Sequence, residues 1–470
     1  MSSTTFHGAC RLLGALCCIA CFPPATAGDA IPVEPKRTIY AGATLVDGTG
    51  APARRDVAIV VRGERIEAVV PAAELSADAG AEMIDMRGRH VVPGLVNAHV
   101  HLATPPEPRR AAAMLRRSLY GGVTAVRSMA DDTRAVADLA RAARVGELAA
   151  PDIVFPALFA GPDFFHDPRV VAAARGETAG TVPWLRAVTA DTDLREAVTL
   201  ARGAGATAIK VYAGLDAVTV GAIAREAHQQ GLRVWAHAAV FPASPLEVAS
   251  AGVDTMSHVC MIAYQGQAIP PAYHDRAPVD EARFVQGIPE AVREVYARMK
   301  DRGVILDATN YVYETIERMR AEMPEGQGPP TYCSARLAER LTAEAHRMGV
   351  EIAIGTDAFA PVDQPYPAVQ REMEIFVTRA GMQPLEAIRS ATLIGARALG
   401  READMGSIEA GKLANLVFVA SDPVADIGAL RDVVLVVKRG TPFRRSDYVP
   451  ITAAEAGEAP ADEAGTDEAH

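Results

Sequence analysis

From His90 to Gly400 the chain alternates short apolar runs with amphipathic stretches rich in Ala, Arg and Glu, and no other feature constrains its fold so tightly. The runs are HVVPGLVNA, VTAVRS, DIVFPA, TAIKVY, LRVWAH, DTMSH, GVILDA and EIAIGT. Each has the length of a strand buried on both faces, and each precedes a helix-like segment, which is the pattern of parallel βα units. Eight such units predict an α/β fold built on a (β/α)8 TIM barrel, an architecture of about 250 residues before insertions.

The flanks read differently. Between Tyr40 and His90 the β-branched runs ATLV, VAIVV, RIEAVV and EMIDM are separated by turns such as DGTGAPARR, and MGSIEAGKLANLVFVA and VVLVVKRGTPF return near the end. These are antiparallel strand signals. The expected organisation is a composite β-sandwich domain of 28–89 plus 401–450 attached to a barrel at 90–400. Residues 451–470 hold six acidic and no basic side chains, and a disordered tail is expected.

Residues 1–27 carry Arg11, the apolar run LLGALCCIACF and an Ala-Thr-Ala stretch before Gly28, the layout of a secretory signal peptide. That run is shorter than the roughly 20 apolar residues of a membrane span. The expectation is export to the periplasm or the medium, with no membrane span. A lipid anchor at Cys21 is not expected, because Cys18 stands where a lipoprotein signal places an aliphatic residue. Of six cysteines, Cys10, Cys17, Cys18 and Cys21 lie in this segment. Cys260 and Cys333 are expected as isolated thiols; a bridge between them stays open, since sequence does not place the two sulfurs. The net charge of -11 argues against nucleic acid or an anionic membrane as partner and leaves a small-molecule substrate. No heptad or repeat speaks to oligomeric state.

His99 and His101 end the first barrel run. Two residues apart on a strand, they project from one face about 6.6 Å apart at Cα, so both imidazoles can reach one ion. Alone, the pair fits two unrelated polar residues equally well. Lys210, His237, His258 and Asp357 end four further runs, and 27 then 21 residues separate the first three, about one βα unit each. Barrel enzymes build their sites at that rim. The alternatives are a structural Lys210–Asp357 pair and core histidines. Candidate substrate contacts are Arg127, His166 in GPDFFHDP, Tyr212, Tyr264, Tyr311 and Tyr313. Arg127 fits either a substrate carboxylate or a structural ion pair with Asp131 or Asp132.

From GATLVDGTG through PGLVNAHVHL, GVTAVRS and IGTDA to ATLIGARALG and MGSIEAGKLANLVFV, the chain resembles the metal-dependent amidohydrolase superfamily, and within it the imidazolonepropionase-related and prolidase-like members. The resemblance implies that His99 and His101 open strand one, that a carbamylated Lys210 bridges two divalent ions, that His237 and His258 bind the second ion, and that Asp357 is both ligand and general acid/base. Nitrogen and oxygen ligands without thiolate suit zinc, with manganese, iron and cobalt open. The implied activity is hydrolysis of an amide bond, as in a dipeptide or N-acyl amino acid. A cyclic amide, lactone or ester would use the same centre, and a catalytically silent binding protein would be expected to have lost ligands.

Overall fold

The computed structural model describes residues 36–75, 80–324 and 332–457. The expected signal peptide, the Cys21 anchor position and the chain beyond 457 lie outside the described residues. No described helix is long and apolar enough to cross a membrane.

Eight positions in the chain supply the parallel strands: β1 (Leu95–Val100), β2 (Val123–Ser128), β3 (Asp152–Val154, continued by Pro156–Ala160), β4 (Ala208–Val211), β5 (Arg233–His237), β6 (Thr255–Ser257), β7 (Ile305–Asp307) and β8 (Ile352–Ala353). β3 breaks at Phe155: its first half pairs with β2 and its second with β4. The ladder closes on itself, because the Ala98 amide of β1 donates to the Ile354 carbonyl just beyond β8 at 2.8 Å. This is the TIM-barrel-like arrangement expected from the alternating pattern. All six residues of β1 and of β2 are buried, as strands covered on both faces must be. The barrel interior sets one large ring among small neighbours, with Trp235 fully buried beside Ala98, Ala125, Ala208, Ile305 and Ala353.

Strands from both flanks join a single eight-stranded sheet, in which Leu416–Val419 pairs with His90–Pro93 and the latter with Arg37–Leu45. The HVVPGLVNA run therefore divides at Gly94: its first half belongs to this sheet and its second is β1. Alternate residues of its strands, among them Tyr40, Ile59, Val91, Phe418 and Val437, form one apolar cluster on one face. A sandwich calls for a second sheet, whereas these strands share one sheet order. Asp152 of β3 is clasped by Lys438 and Arg439 from the end of the strand Val433–Lys438, at 3.0 and 2.8 Å, which ties barrel to sheet.

The tail expectation is corrected at its start. Residues 451–457 include the short helix Ala453–Ala456, capped by Thr452, and Ile451 and Ala456 pack on Ala113 and Met114 while Glu455 pairs with Arg116. Buried apolar contact with a capped turn is enough to order an otherwise polar stretch.

Candidate metal centre

Strand register aligns the rim. His237 pairs with Ser257, and Ser257 with Asp307, so the ends of β5, β6 and β7 stand level. Immediately beyond the strands the backbone turns through the left-handed region at non-glycine residues: Ala130 (φ 63°), His258 (72°), Thr309 (53°) and Asp357 (50°). Such residues cost about 1–3 kcal/mol each and cluster where function demands them. Here they follow the ends of β2, β6, β7 and β8, and they turn His258 and Asp357 inward.

The six expected ligand positions come together on one cavity of about 710 Å³. His99, His101 and Asp357 hold one donor atom each within 4.8 Å of the others. Asp357 Oδ1 lies 3.4 Å from His99 Nε2 and 3.1 Å from His101 Nε2, and its Oδ2 lies 3.6 Å from His258 Nδ1. The His258 ring is 4.9 Å from that of His99 and 4.7 Å from that of His237. Lys210, fully buried, reaches Ser257 Oγ at 3.5 Å. Nδ1 of His237 is buried with no hydrogen-bond partner among the described residues, whereas Nδ1 of His101 faces Asp131 at 3.8 Å and leaves Nε2 toward Asp357. Converging imidazoles, one with an unsatisfied buried nitrogen, around a carboxylate are what a divalent-cation site requires, so the residues present fit such an ion.

Electrostatics sharpen this. Burial, followed by the neighbouring Arg127 charge, pulls Lys210 down to about 7, so its amine is readily neutral. Burial also drives His258 down to about 3 and His237 well below the usual histidine range, leaving both as neutral donors. Burial opposes charge on His101 too, but Asp131 and Asp357 outweigh it and raise the ring to about 9. Asp357 is held below the carboxylate range by His99 and His101 in spite of burial.

Asp307, absent from the sequence candidates, sits beneath the centre. Its Oδ2 accepts from His99 Nδ1 at 2.7 Å, from Arg127 Nη2 at 2.8 Å and from Ser257 Oγ at 2.9 Å. The signal available was the strand end LDATN. Gly355 explains itself here, since a Cβ at that position would lie 2.0 Å from Asp307 Oδ1. Asp131 is similarly placed behind His101 and accepts from Thr104 Oγ1 at 2.6 Å and from the Leu102 and Ala103 amides.

Several substrate candidates fall elsewhere. Arg127 is 0% exposed, lies 4.7 Å over the Trp235 ring inside the barrel, and is fixed by Asp307, Thr255 and the Ala98 carbonyl, so it is a structural ion pair, though not with Asp131 or Asp132. On β2 it shares the inward face with Ala125, two residues earlier, which directs it into the interior. His166 is on an exposed turn with Nδ1 on the Asp163 carbonyl and does not line the cavity. Tyr311 packs away from it against Ala360 and Ala368. Tyr212, Tyr264 and Tyr313 do line it; the Tyr264 hydroxyl is engaged by the Ala277 carbonyl. Cavity residues not foreseen are Arg169, Tyr273, His274, Arg276 and Tyr332. Cys260 and Cys333, expected as separate thiols, are joined in a disulfide with Cα atoms 5.9 Å apart.

Several known proteins are similar to the chain. It is 26% identical over 402 residues to the imidazolonepropionase of Pseudomonas aeruginosa (strain UCBPP-PA14), covering 77% of this chain and 87% of that protein. It is 24% identical over 442 residues to the ochratoxinase of Aspergillus niger, covering 85% and 84%. The crystal structure of a Xaa-Pro dipeptidase with bound methionine superposes with a TM-score of 0.68 at 24% identity, over 87% of this chain and 100% of that one, a likeness of fold. The amidohydrolase family model matches residues 90–442, and the chain therefore belongs to the amidohydrolase family and is a hydrolase acting on carbon–nitrogen bonds.

Proposed function

We propose that this enzyme hydrolyses an amide bond in a small substrate, a dipeptide or N-acyl amino acid, at a centre holding two divalent ions, zinc by ligand chemistry. One observation carries the reading: four imidazoles, Lys210 and Asp357 converge on one cavity. His99, His101 and Asp357 would hold one ion, His237 and His258 the other, and Lys210, converted by carbon dioxide to an anionic carbamate, would supply an oxygen to each. An ammonium there would repel both ions, whereas a carbamate attracts them. Bound in this way, the ions would supply Lewis acidity to the scissile carbonyl and acidify the attacking water.

The chain's own groups do the rest. Asp357, within reach of both His99 and His101, accepts the proton of the attacking water and returns it to the leaving nitrogen. Asp307 and Asp131 orient the two imidazoles from behind. The aromatic wall of Phe164, Tyr212 and Tyr273 excludes water and offers a face for an apolar substrate group. The names of the similar proteins, a dipeptidase among them, support an amide substrate. The Cys260–Cys333 bridge supports an exported protein, because disulfides persist in oxidising compartments.

The test is turnover by metal-loaded protein of a panel of dipeptides, N-acyl amino acids, cyclic amides and lactones. The reading expects activity in the first two classes. Activity confined to lactones or cyclic amides would overturn it.

A further inference from the structure

Arg276 is an arginine of this cavity with no carboxylate partner among the described residues. It lines the cavity and is clamped between two aromatic faces, its Cζ 3.6 Å from the Tyr273 ring centroid and 3.9 Å from that of Tyr332. Its Nη1 donates to the Tyr273 carbonyl at 2.6 Å, and its Nε is buried without a hydrogen-bond partner. Among the described residues no carboxylate pairs with it. The other arginine of the cavity differs: Arg169 has its fork occupied by Asp167, at 3.0 Å for Nε and 2.7 Å for Nη2.

A guanidinium stacked against two rings has little freedom left to lose on binding, and with Nη1 held by the Tyr273 carbonyl its Nε and Nη2 remain as the donors for an oxyanion. The clamp is anchored on both sides. Tyr332 precedes Cys333, whose disulfide partner Cys260 lies two residues after His258. Tyr273 in turn stands 6.1 Å from the His237 ring. The cation is thereby fixed one aromatic ring away from the catalytic imidazoles.

Resting on the amide reading above, we infer that Arg276 is the specificity residue for the free carboxylate of the leaving amino acid, so that the enzyme selects N-acyl amino acids and dipeptides over amides lacking that carboxylate. Water adds to the acyl carbon, the C–N bond breaks with proton return to nitrogen, and the amino acid leaves with its carboxylate still on Arg276.

Binding tests this apart from turnover. The probes are N-methanesulfonyl-L-phenylalanine and its carboxamide, which share a side chain and resist hydrolysis, titrated calorimetrically into metal-loaded wild type, R276Q and R276K. Wild type is expected to favour the carboxylate about 10- to 100-fold, the worth of a charge-assisted bidentate pair. R276Q should bring the ratio to about one without changing carboxamide affinity, and R276K, with charge but no planar fork, should fall between. A ratio near one in wild type, or equal loss for both probes in R276Q, overturns the assignment. If R276Q melts early, R276K alone decides: an unchanged ratio overturns it and a reduced one supports it. Absence of turnover of every dipeptide and N-acyl amino acid in the panel, with the binding preference intact, would instead sink the amide reading and leave Arg276 in place.

Discussion

His99 donates from Nδ1 to Asp307 at 2.7 Å, which leaves Nε2 of the same ring facing Asp357 at 3.4 Å. The carboxylate thus chooses which nitrogen is free to bind an ion. It also neutralises Arg127, which has no other charged partner among the described residues.

Asp307→Asn should therefore fail twice. Metal affinity should fall about 10- to 100-fold as a neutral amide replaces the carboxylate that orients His99. Stability should fall by about 3–5 kcal/mol, because Arg127 is left buried and unpaired. Metal titration and urea unfolding read the two effects; loss of neither would remove Asp307 from the account.

Asp357→Asn should separate chemistry from folding. Asparagine tolerates the left-handed backbone at this position, so the variant should fold. Its turnover should drop about 10²- to 10⁴-fold, the range for a general acid/base. A variant with wild-type turnover would require another proton carrier.

The disulfide closes a separation of 73 residues. In the chain-entropy view a loop of that length contributes about 4 kcal/mol. Cys333→Ser, or reduction, should lower the unfolding temperature accordingly and loosen Tyr332. Thermal unfolding with and without reductant checks this; identical curves would contradict the bridge's role.

Asp152 gives a pH signature. Lys438 and Arg439 hold its carboxyl below the usual value in spite of burial. Between the folded and unfolded values the unfolded chain binds more protons, so stability rises with pH there. The contribution is present above about pH 4 and is lost as pH falls through the lower folded value. Asp152→Asn should cost about 3–5 kcal/mol at neutral pH, because Lys438 and Arg439 lose a buried partner. The acid limb of the stability curve should also flatten, as unfolding at a series of pH values would show.

The eight apolar runs were legible because strands covered on both faces must be continuously apolar, and the ligand positions were legible because they end those runs at one-unit spacings. What the sequence hid depends on contacts across the barrel. Arg127 reads as a rim residue until its partner Asp307, 180 positions away, is seen below the rim. Tyr311 and Tyr313 look equivalent, but they lie on the helix Asn310–Glu322, where two positions are over half a turn apart, so only Tyr313 faces the cavity. Arg276 sits in a long polar segment with no periodicity to mark it. Its role comes from Tyr332, supplied by a different loop through the disulfide.

The most direct measurement is elemental analysis of purified protein beside a His99→Asn, His101→Asn variant. The account predicts close to two divalent ions per wild-type chain, with metal lost from a variant that remains folded. Folded wild-type protein that neither carries nor takes up divalent metal would contradict it.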